Sequence, residues 1–171
     1  VYSEKTKLIM EQFKQKVLQH HIHKLETEIA VCFNILIRKS NFLEKVQINT
    51  ETFELLLFDK KDRVIETNQL SAGERQLLAV SILWALARAS NKSSPTIIDT
   101  PLGRLDSKHR LNLVEKYFPQ ASHQVILLST DEEINKNYHD KLKNSVARSY
   151  LISFDAKQNG SKVEEGYFFD A

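Results

Sequence analysis

The segment from Val1 to about Lys39 limits the fold more than any other part of the sequence, because it contains neither glycine nor proline. Such a run predicts one long helix. Its apolar residues recur at alternating steps of four and three, at Leu18, Ile22, Leu25, Ile29, Cys32 and Leu36. This heptad seam predicts a coiled coil, with an ordinary amphipathic helix as the alternative. Glu11 and Gln15 weaken the seam upstream, as expected where a coiled coil enters or leaves a globular head.

Composition is typical of a soluble globular domain with one sizeable core. The chain has 171 residues, 42% hydrophobic and 27% charged, and its net charge of +2 is too balanced to predict a nucleic-acid partner. The single cysteine excludes an internal disulfide and fits a reducing cytosol, so we expect a cytoplasmic protein. No segment has the roughly 20 apolar residues that span a bilayer. The start at Val1 shows no signal peptide, and we expect a piece of a longer protein.

Beyond residue 40 the pattern becomes that of an α/β domain, which divides the chain into a coiled-coil-type helix (1–40) and a head (41–171). Short β-rich runs between residues 45 and 67 predict an antiparallel meander. The buried strands SSPTIID and HQVILLST then alternate with helices, and a terminal hairpin flanks AKQNGS. Parallel strands joined by crossover helices bind ligands at their carboxyl ends, where Asp99, Ser129 and Thr130 lie.

Three helices are predicted within the head. The second of them is amphipathic, capped by Asp106 or Ser107 and ended by Pro119. The third, DEEINKNYHDKLKN, has acids in its first turn and lysines in its last, which matches the helix dipole. The first is so apolar that we expect burial of most of its faces. Its apolar residues include Leu77, Leu78, Val80, Ile82, Leu83, Trp84 and Leu86.

The segment LSAGER, residues 70–75, opens the apolar helix and predicts an anion site. A serine followed by a glycine at a helix start offers a hydroxyl and free backbone N–H groups. The helix dipole adds partial positive charge, which suits phosphate. Simple capping of the helix by Ser71 is the alternative.

Four motifs follow one another in an order that resembles the C-terminal lobe of SMC-like, ABC-type ATPase heads. LSAGE resembles the ABC signature, TIID the Walker B strand, PLGRLD the D-loop and LLSTD the switch segment. The resemblance covers about Lys45 to Phe169, and the preceding helix is similar to the returning arm of a coiled coil. It implies a P-loop ATPase head of α/β class, with a mixed sheet flanked by helices.

Longer segments resemble one branch of these ATPases, the DndD family of bacterial DNA phosphorothioation. They are IDTPLGRLDSKHR, FPQASHQVILLSTDEEI and the ending EEGYFF. The likeness includes Thr100 and Pro101 after the strand, and Thr130 where most relatives carry histidine. It implies ATP and Mg²⁺ as cofactors. The implied partners are DNA, a second head and other phosphorothioation proteins.

The resemblance implies that the signature binds the γ-phosphate of ATP held on the opposite protomer. Ser71 would donate its hydroxyl and Gly73 its N–H, within a motif that also includes Ala72 and Glu74. Glycine at 73 lets the backbone approach the phosphate without a Cβ. Asp99 would orient Mg²⁺ through water, since Mg²⁺ keeps several waters and takes few carboxylates.

Two departures from the family pattern bear on mechanism. Thr100 stands where the family has a glutamate beside the attacking water, and Thr130 stands in place of the switch histidine. A threonine hydroxyl can hydrogen-bond a water but cannot hold its proton at neutral pH. Asp131, Glu132 or Asp106 could supply the missing carboxylate. Asp106 would also close the D-loop against the neighbouring head.

No G-x-x-x-x-G-K-[ST] motif occurs in the sequence, so we expect the P-loop in an N-terminal lobe across the coiled coil. This piece alone is then expected neither to bind ATP tightly nor to hydrolyse it. The complete protein would be a DNA-modification ATPase. Two alternatives are a structural clamp with little hydrolysis, and a related SMC- or RecN-like repair or defence ATPase.

The remaining candidates have simpler interpretations. His20 and His23 lie three apart on a helix, but no further ligand completes a metal site. Cys32 and Trp84 are expected in the core. A basic hairpin tip could contact DNA phosphates, although a solvated turn is favoured. It consists of Lys60, Lys61 and Arg63.

Overall fold

The computed structural model describes residues 2–39, 42–90, 94–157 and 159–169. Helices and strands alternate through the middle of the head and are framed by antiparallel strands, as the sequence predicts. The helices are α1 (Tyr2–Leu36), α2 (Ala72–Ser90), α3 (Ser107–Asn112) and α4 (Lys136–Leu142). The strands are β1 (Lys45–Ile48), β2 (Leu55–Phe58), β3 (Val64–Ile65), β4 (Thr96–Asp99), β5 (Val125–Leu128), β6 (Tyr150–Asp155) and β7 (Gly160–Glu165). No helix among the described residues is both long and apolar enough to span a bilayer.

The long helix α1 has two different halves. The predicted seam is buried in its second half, where Ile29, Cys32 and Leu36 are at most 1% exposed. This half packs against α2 and β1 and belongs to the core of the head. The first half exposes its large apolar side chains to solvent. They are Leu8, Ile9, Met10, Phe13 and Val17.

The predicted meander is confirmed as the antiparallel sheet β1-β2-β3. Val46 and Leu57 are paired across β1 and β2 and both are buried. Side chains of α1 hold this sheet in place. Asn34 bonds both the N–H and the carbonyl of Leu43, and Glu26 accepts from the N–H of Ile48 at 2.7 Å.

Helix α2 is buried on one face only, so the prediction of burial on most faces is wrong. Leu77 and Trp84 are buried against α1 and the helix that follows β4, whereas Leu83 is 65% and Leu86 46% exposed. The reason is geometric. Within the described residues α2 is packed from one side, and a helix covered from one side buries one stripe.

Strands β4 and β5 form a separate parallel pair, in which Asp99 lies opposite Leu128. They were expected to be buried, but only one face is covered. Ile98 and Leu127 point to the covered side, while Ile97 is 65% exposed on the other. The strands therefore lie in three separate sheets, the third being the predicted terminal hairpin β6-β7.

The helix after β4 is not uniform. It is α-helical to Asn112, widens to a π-helix over Leu113–Tyr117 and tightens to a 3₁₀ turn over Phe118–Gln120. Pro119 therefore lies in the last turn rather than after it. This helix contacts the end of α1, because Asn112 donates to the Leu36 carbonyl at 2.8 Å.

Helix α4 begins later than predicted, which places the acids at 131–133 before the helix rather than in its first turn. The side chain of Asn135 accepts a hydrogen bond from the N–H of Tyr138 at 3.1 Å and caps the helix there. The acids lie instead in a turn at residues 131–134, called here the acidic turn.

Candidate functional site

The signature-like turn, residues 70–75, is a capping box. The Ser71 hydroxyl accepts from the N–H of Glu74 at 3.2 Å, and the Glu74 carboxylate accepts from the N–H of Ser71 at 2.9 Å. Because the Ser71 oxygen is an acceptor in this bond, its own proton can be donated elsewhere. Ser71 and Ala72 are exposed to solvent. The capping alternative is thus confirmed, and it leaves the hydroxyl proton available.

Glu74 is occupied by contacts within the chain. Burial acts to raise its pKa, but the bonds from Ser71 and the ion pair with Lys39 at 3.1 Å outweigh it and lower that pKa. The ionised carboxylate therefore serves to fix the start of α2. Because both of its oxygens already accept hydrogen bonds within the chain, Glu74 is not suited to act as a base.

Gly73 faces the D-loop-like turn, residues 101–106. A Cβ at Gly73 would lie 3.6 Å from both the Arg104 carbonyl oxygen and the Leu105 side chain, which is ordinary contact. The backbone φ of Gly73 is not in the left-handed region. The chain itself would thus accept alanine here, so its own packing does not explain the glycine.

The end of β4 carries Asp99 and Thr100 into solvent. The Thr100 hydroxyl donates to Asp99 Oδ1 at 3.3 Å, and the Thr100 N–H continues the ladder to the Leu128 carbonyl at 3.1 Å. Thr100 has φ of +50°, a left-handed conformation that β-branched residues rarely adopt. Such backbone strain costs on the order of 1–3 kcal/mol and is concentrated at functional sites.

The D-loop-like turn is anchored at its far end by Asp106. The carboxylate caps α3 by accepting from the N–H groups of Lys108 at 3.0 Å and His109 at 2.9 Å, which decides the cap in favour of Asp106 over Ser107. The backbone bond from His109 is the main reason that the pKa of Asp106 is lowered.

His109 connects this turn to the end of α1. It is buried, and its Nε2 accepts from the Arg38 N–H at 3.4 Å. The Nδ1 atom lies 3.0 Å from the Asp106 carboxylate, which can accept a hydrogen bond from it. Sequence reasoning missed His109, since nothing in its local pattern distinguishes it from a surface residue.

The switch-like segment, residues 127–131, is held by its neighbours. The Ser129 hydroxyl and the Tyr167 hydroxyl are 3.2 Å apart, and Tyr167 also donates to the Ile134 carbonyl at 3.1 Å. The ring of Tyr167 stacks on His139 with centroids 4.7 Å apart. Burial raises the pKa of Tyr167, so its hydroxyl remains protonated near neutral pH.

Glu133 of the acidic turn reaches the D-loop-like turn, and sequence reasoning missed it. Its Oε1 accepts from the Leu102 N–H at 3.3 Å. The backbone N–H of Glu133 donates in turn to the Thr130 hydroxyl at 3.3 Å. The two acids proposed from the sequence in this turn, Asp131 and Glu132, are exposed instead.

The arrangement brings together most of the predicted residues. Asp99 and Thr100 lie beside Ser129 and Thr130 because β4 and β5 are parallel and in register. The D-loop-like turn follows this edge in the chain, and Gly73 of the signature-like turn lies near it, since a Cβ on Gly73 would be 3.6 Å from Arg104 and Leu105. Residues that are distant in sequence therefore lie near one another around the D-loop-like turn.

The remaining candidates have structural roles. Cys32 is fully buried, and burial raises the pKa of its thiol to about 11, which makes it unreactive. Trp84 is a core residue, as predicted. Arg63 pairs with Asp59 at 2.6 Å, and its hydrogen bond lowers the pKa of Asp59 to about 2. Within the described ranges no group of three or more His, Cys, Asp or Glu could hold a metal ion.

No protein-family model matches the sequence. Similar curated proteins include two Rad50 ATPases of DNA double-strand break repair. The chain is 26% identical over 162 residues to that of Halobacterium salinarum, covering 89% of this chain and 17% of the relative. It is 29% identical over 166 residues to that of Sulfolobus acidocaldarius, covering 94% and 18%. The chain therefore spans less than a fifth of the length of these curated relatives.

Among solved structures the chain is similar to SMC heads. An SMC head with a coiled coil and joint from Pyrococcus yayanosii has TM-score 0.64 and 16% identity, covering 95% of this chain and 31% of that one. An SMC head bound to the C-winged helix domain of ScpA has TM-score 0.67 and 14% identity, covering 93% and 47%. A third, from work on ATP-driven dimerization and DNA-stimulated activation of SMC ATPases, has TM-score 0.64 and 14% identity, covering 89% of each chain. These likenesses show the fold, which is that of SMC heads and here includes the long helix α1.

Proposed function

We propose that this chain is the C-terminal half of an ATPase head, which binds and hydrolyses ATP between two heads of the complete protein. The main support for this proposal is that three segments with motif residues lie next to the D-loop-like turn. The end of β4 and the switch-like segment lie on one side of it, and the signature-like turn lies on the other. The predicted boundary at residue 40 is part of this proposal.

The signature-like turn would bind the γ-phosphate of a nucleotide held by the opposite head. Its helix start provides backbone N–H groups and partial positive charge. Ser71 is exposed and has its hydroxyl proton to donate. Gly73 leaves room for the phosphate in a turn whose own packing does not require glycine. These three features together suit an anion brought from outside the chain.

Asp99 fits a role at magnesium through the chemistry of its donors. Its exposed carboxylate lies beside the Thr100 hydroxyl, and both are hard oxygen ligands. Magnesium keeps several waters and takes one or two carboxylates when phosphates supply the other ligands. A single aspartate is therefore sufficient from this half of the head. When bound, Mg²⁺ neutralises charge on the phosphate oxygens.

The complete head would need a second lobe that carries the P-loop. The bare face of the β4-β5 pair supports this, since Ile97, Ile126 and Leu128 are 65%, 40% and 46% exposed. A parallel sheet normally has both faces covered. We infer that the N-terminal lobe of the same protein covers this face. The exposed first half of α1 would pair with the outgoing arm of the coiled coil.

DNA phosphorothioation is the finer part of the proposal, and it rests on the motif resemblance. The similar proteins act in DNA double-strand break repair or belong to SMC ATPases stimulated by DNA, which supports a DNA-linked role. DNA, the second head and other phosphorothioation proteins are the proposed partners. A clamp with little hydrolysis is the second candidate, because neither Thr100 nor Thr130 can act as a base.

The test uses the full-length protein with Mg²⁺, ATP and DNA. We expect ATP-dependent dimers and steady-state hydrolysis that Asp99→Asn lowers about 100-fold or more. The matched control Asp140→Asn, an exposed aspartate on α4, should remain active. ATP-dependent dimers without turnover would favour the clamp. Absence of both dimers and turnover, or an active Asp99→Asn protein, would refute the proposal.

A second experiment tests whether each ATP site is formed by residues of both heads. Mixing a Ser71-variant protomer with a P-loop-variant protomer should leave about one competent site per dimer, since each site would use both heads. Finding no competent site would contradict composite sites.

A further experiment measures phosphorothioate linkages by mass spectrometry in the DNA of cells that carry the Asp99→Asn protein. Loss of these linkages supports the modification role. Unchanged linkages together with defective repair would assign the ATPase to repair instead.

A further inference from the structure

We propose that Glu133 is the carboxylate that takes the place of the glutamate absent at position 100, acting as the base for the attacking water. This inference rests on the proposed ATPase function. The hydroxyl of Thr100 cannot accept a proton from water near neutral pH, whereas a positioned carboxylate can accept one as the nucleophile forms. The required group has to lie close to Thr100 and keep an oxygen available.

The start of α4 determines which acid meets this requirement. Because Asn135 caps the helix, residues 131–134 form the acidic turn rather than a helical turn. The turn is closed by bonds from Glu133 N–H to the Thr130 hydroxyl and from Ile134 N–H to the Thr130 carbonyl. Closure in this way directs Glu133 toward the D-loop-like turn. Asp131 and Glu132 remain exposed.

The position of the Glu133 carboxylate follows from two contacts. Its Oε1 accepts from the Leu102 N–H at 3.3 Å. A Cβ built on Gly103 would lie 4.0 Å from that same Oε1 and 3.3 Å from the methyl group of Thr100. The carboxylate and the Thr100 side chain thus adjoin the same small volume. Glycine at 103 keeps this volume open.

The carboxylate of Glu133 is oriented but not saturated. One oxygen is fixed by the backbone of the D-loop-like turn, and Oε2 has no hydrogen-bond partner within the described part of the chain. Glu133 is half-buried, and none of its contacts is an ion pair among the described residues. A carboxylate held by one oxygen can direct the other at a water. Asp106 is different, since its two oxygens bond Lys108, His109 and the His109 ring.

The chemical step balances with water as the only co-reactant of ATP. Glu133 takes one proton from the water while the water oxygen forms a bond to the γ-phosphorus of ATP. The bond from that phosphorus to the bridging oxygen breaks, and its electron pair leaves with ADP. Inorganic phosphate and ADP are the products, and the proton passes from Glu133 to solvent. The Thr100 hydroxyl would orient the water without taking its proton.

A purely structural role for Glu133 gives a different expectation. If the side chain only satisfies the Leu102 N–H, glutamine would do the same, because its amide oxygen also accepts a hydrogen bond. Glu133→Gln therefore separates the two roles. Glu133→Ala removes both, and tests how much the bond to Leu102 contributes to folding.

The experiment measures kcat, KM and ATP-dependent dimerisation of the full-length protein. Glu133→Gln should lower kcat about 100-fold or more, with KM little changed and with ATP-bound dimers that persist longer. Asp140→Asn and Glu164→Gln, exposed acids outside the proposed site, are the controls and should stay within about twofold of the native rate. Dimers are measured by light scattering after size-exclusion chromatography.

The outcomes separate this inference from the proposed function. Suppose that the native protein hydrolyses ATP and that Asp99→Asn abolishes this turnover. If Glu133→Gln then remains active, the role of Glu133 is refuted while the ATPase proposal stands. An active Glu133→Gln protein beside an inactive Glu133→Ala protein would assign Glu133 to support of the turn only. If the native protein neither dimerises with ATP nor hydrolyses it, the proposed function fails first.

Discussion

The signature-like turn and the edge at the ends of β4 and β5 lie on opposite sides of one loop, yet they are built differently. The signature-like turn is closed by Ser71 and Glu74, three residues apart. The edge is closed by Glu133 and Tyr167, which contact residues 31 and 38 positions away. The first depends on local bonds and the second on the packing of the whole head. We therefore expect them to respond differently to substitution.

Among the substitutions that compare the two regions, the largest effect is expected at Gly73 of the signature-like turn. Gly73→Ala should weaken ATP-dependent dimerisation of the full-length protein about tenfold or more, since a methyl group would intrude on the phosphate. The stability of the head should be unchanged or up to about 1 kcal/mol higher, because alanine favours helix. Sedimentation and thermal unfolding measure the two. An unstable but dimerising variant would reverse this view of the turn.

A medium effect tests the dependence of the edge on distant contacts. Tyr167→Phe removes the hydroxyl that bonds Ser129 and Ile134 but keeps the ring on His139. We expect a loss of about 1 kcal/mol in the free energy of unfolding, measured by urea denaturation. The control is Tyr150→Phe, which should have little effect because Tyr150 is 51% exposed. Equal effects of both substitutions would show that the edge does not rely on Tyr167.

The smallest effect concerns the D-loop-like turn between the two regions. The folded pKa of Asp106 lies below its unfolded value, so its contribution to stability is complete above about pH 4 and is lost as pH falls through the folded pKa. Since the side chain is 54% exposed, solvent screening limits the contribution to a few tenths of a kcal/mol. Asp106→Asn keeps a capping side chain and should flatten this part of the pH–stability curve. A curve unchanged below pH 4 would contradict the assignment.

Features that depend on contacts between residues close in sequence could be predicted, whereas features that depend on distant contacts could not. The capping of α2 by Ser71 depends on residues close in sequence, and the parallel pair carrying Asp99 follows from the alternation of strands and helices. The start of α4 was predicted too early, because the acids suggested a first turn and the capping by Asn135 was overlooked. Burial of Leu83 was overestimated, since an apolar side chain does not reveal whether a second element covers its face of the helix. Glu133 and Tyr167 could not be found from local pattern, because their partners are distant.

The end of α1 has a mechanical consequence. Its last carbonyls accept from Asn112 at 2.8 Å and from Lys116 at 3.4 Å, and Arg38 binds His109 just beyond the helix. The helix is thus clamped at its base by the segment that follows the D-loop-like turn. Because the second half of the helix is packed in the core, only the exposed first half, about 25 Å long, is able to tilt, and a tilt of about 5° would move its far end by about 2 Å. A shift beside Asp106 that tilts this exposed half would change the distances between labels near Glu4 and the head.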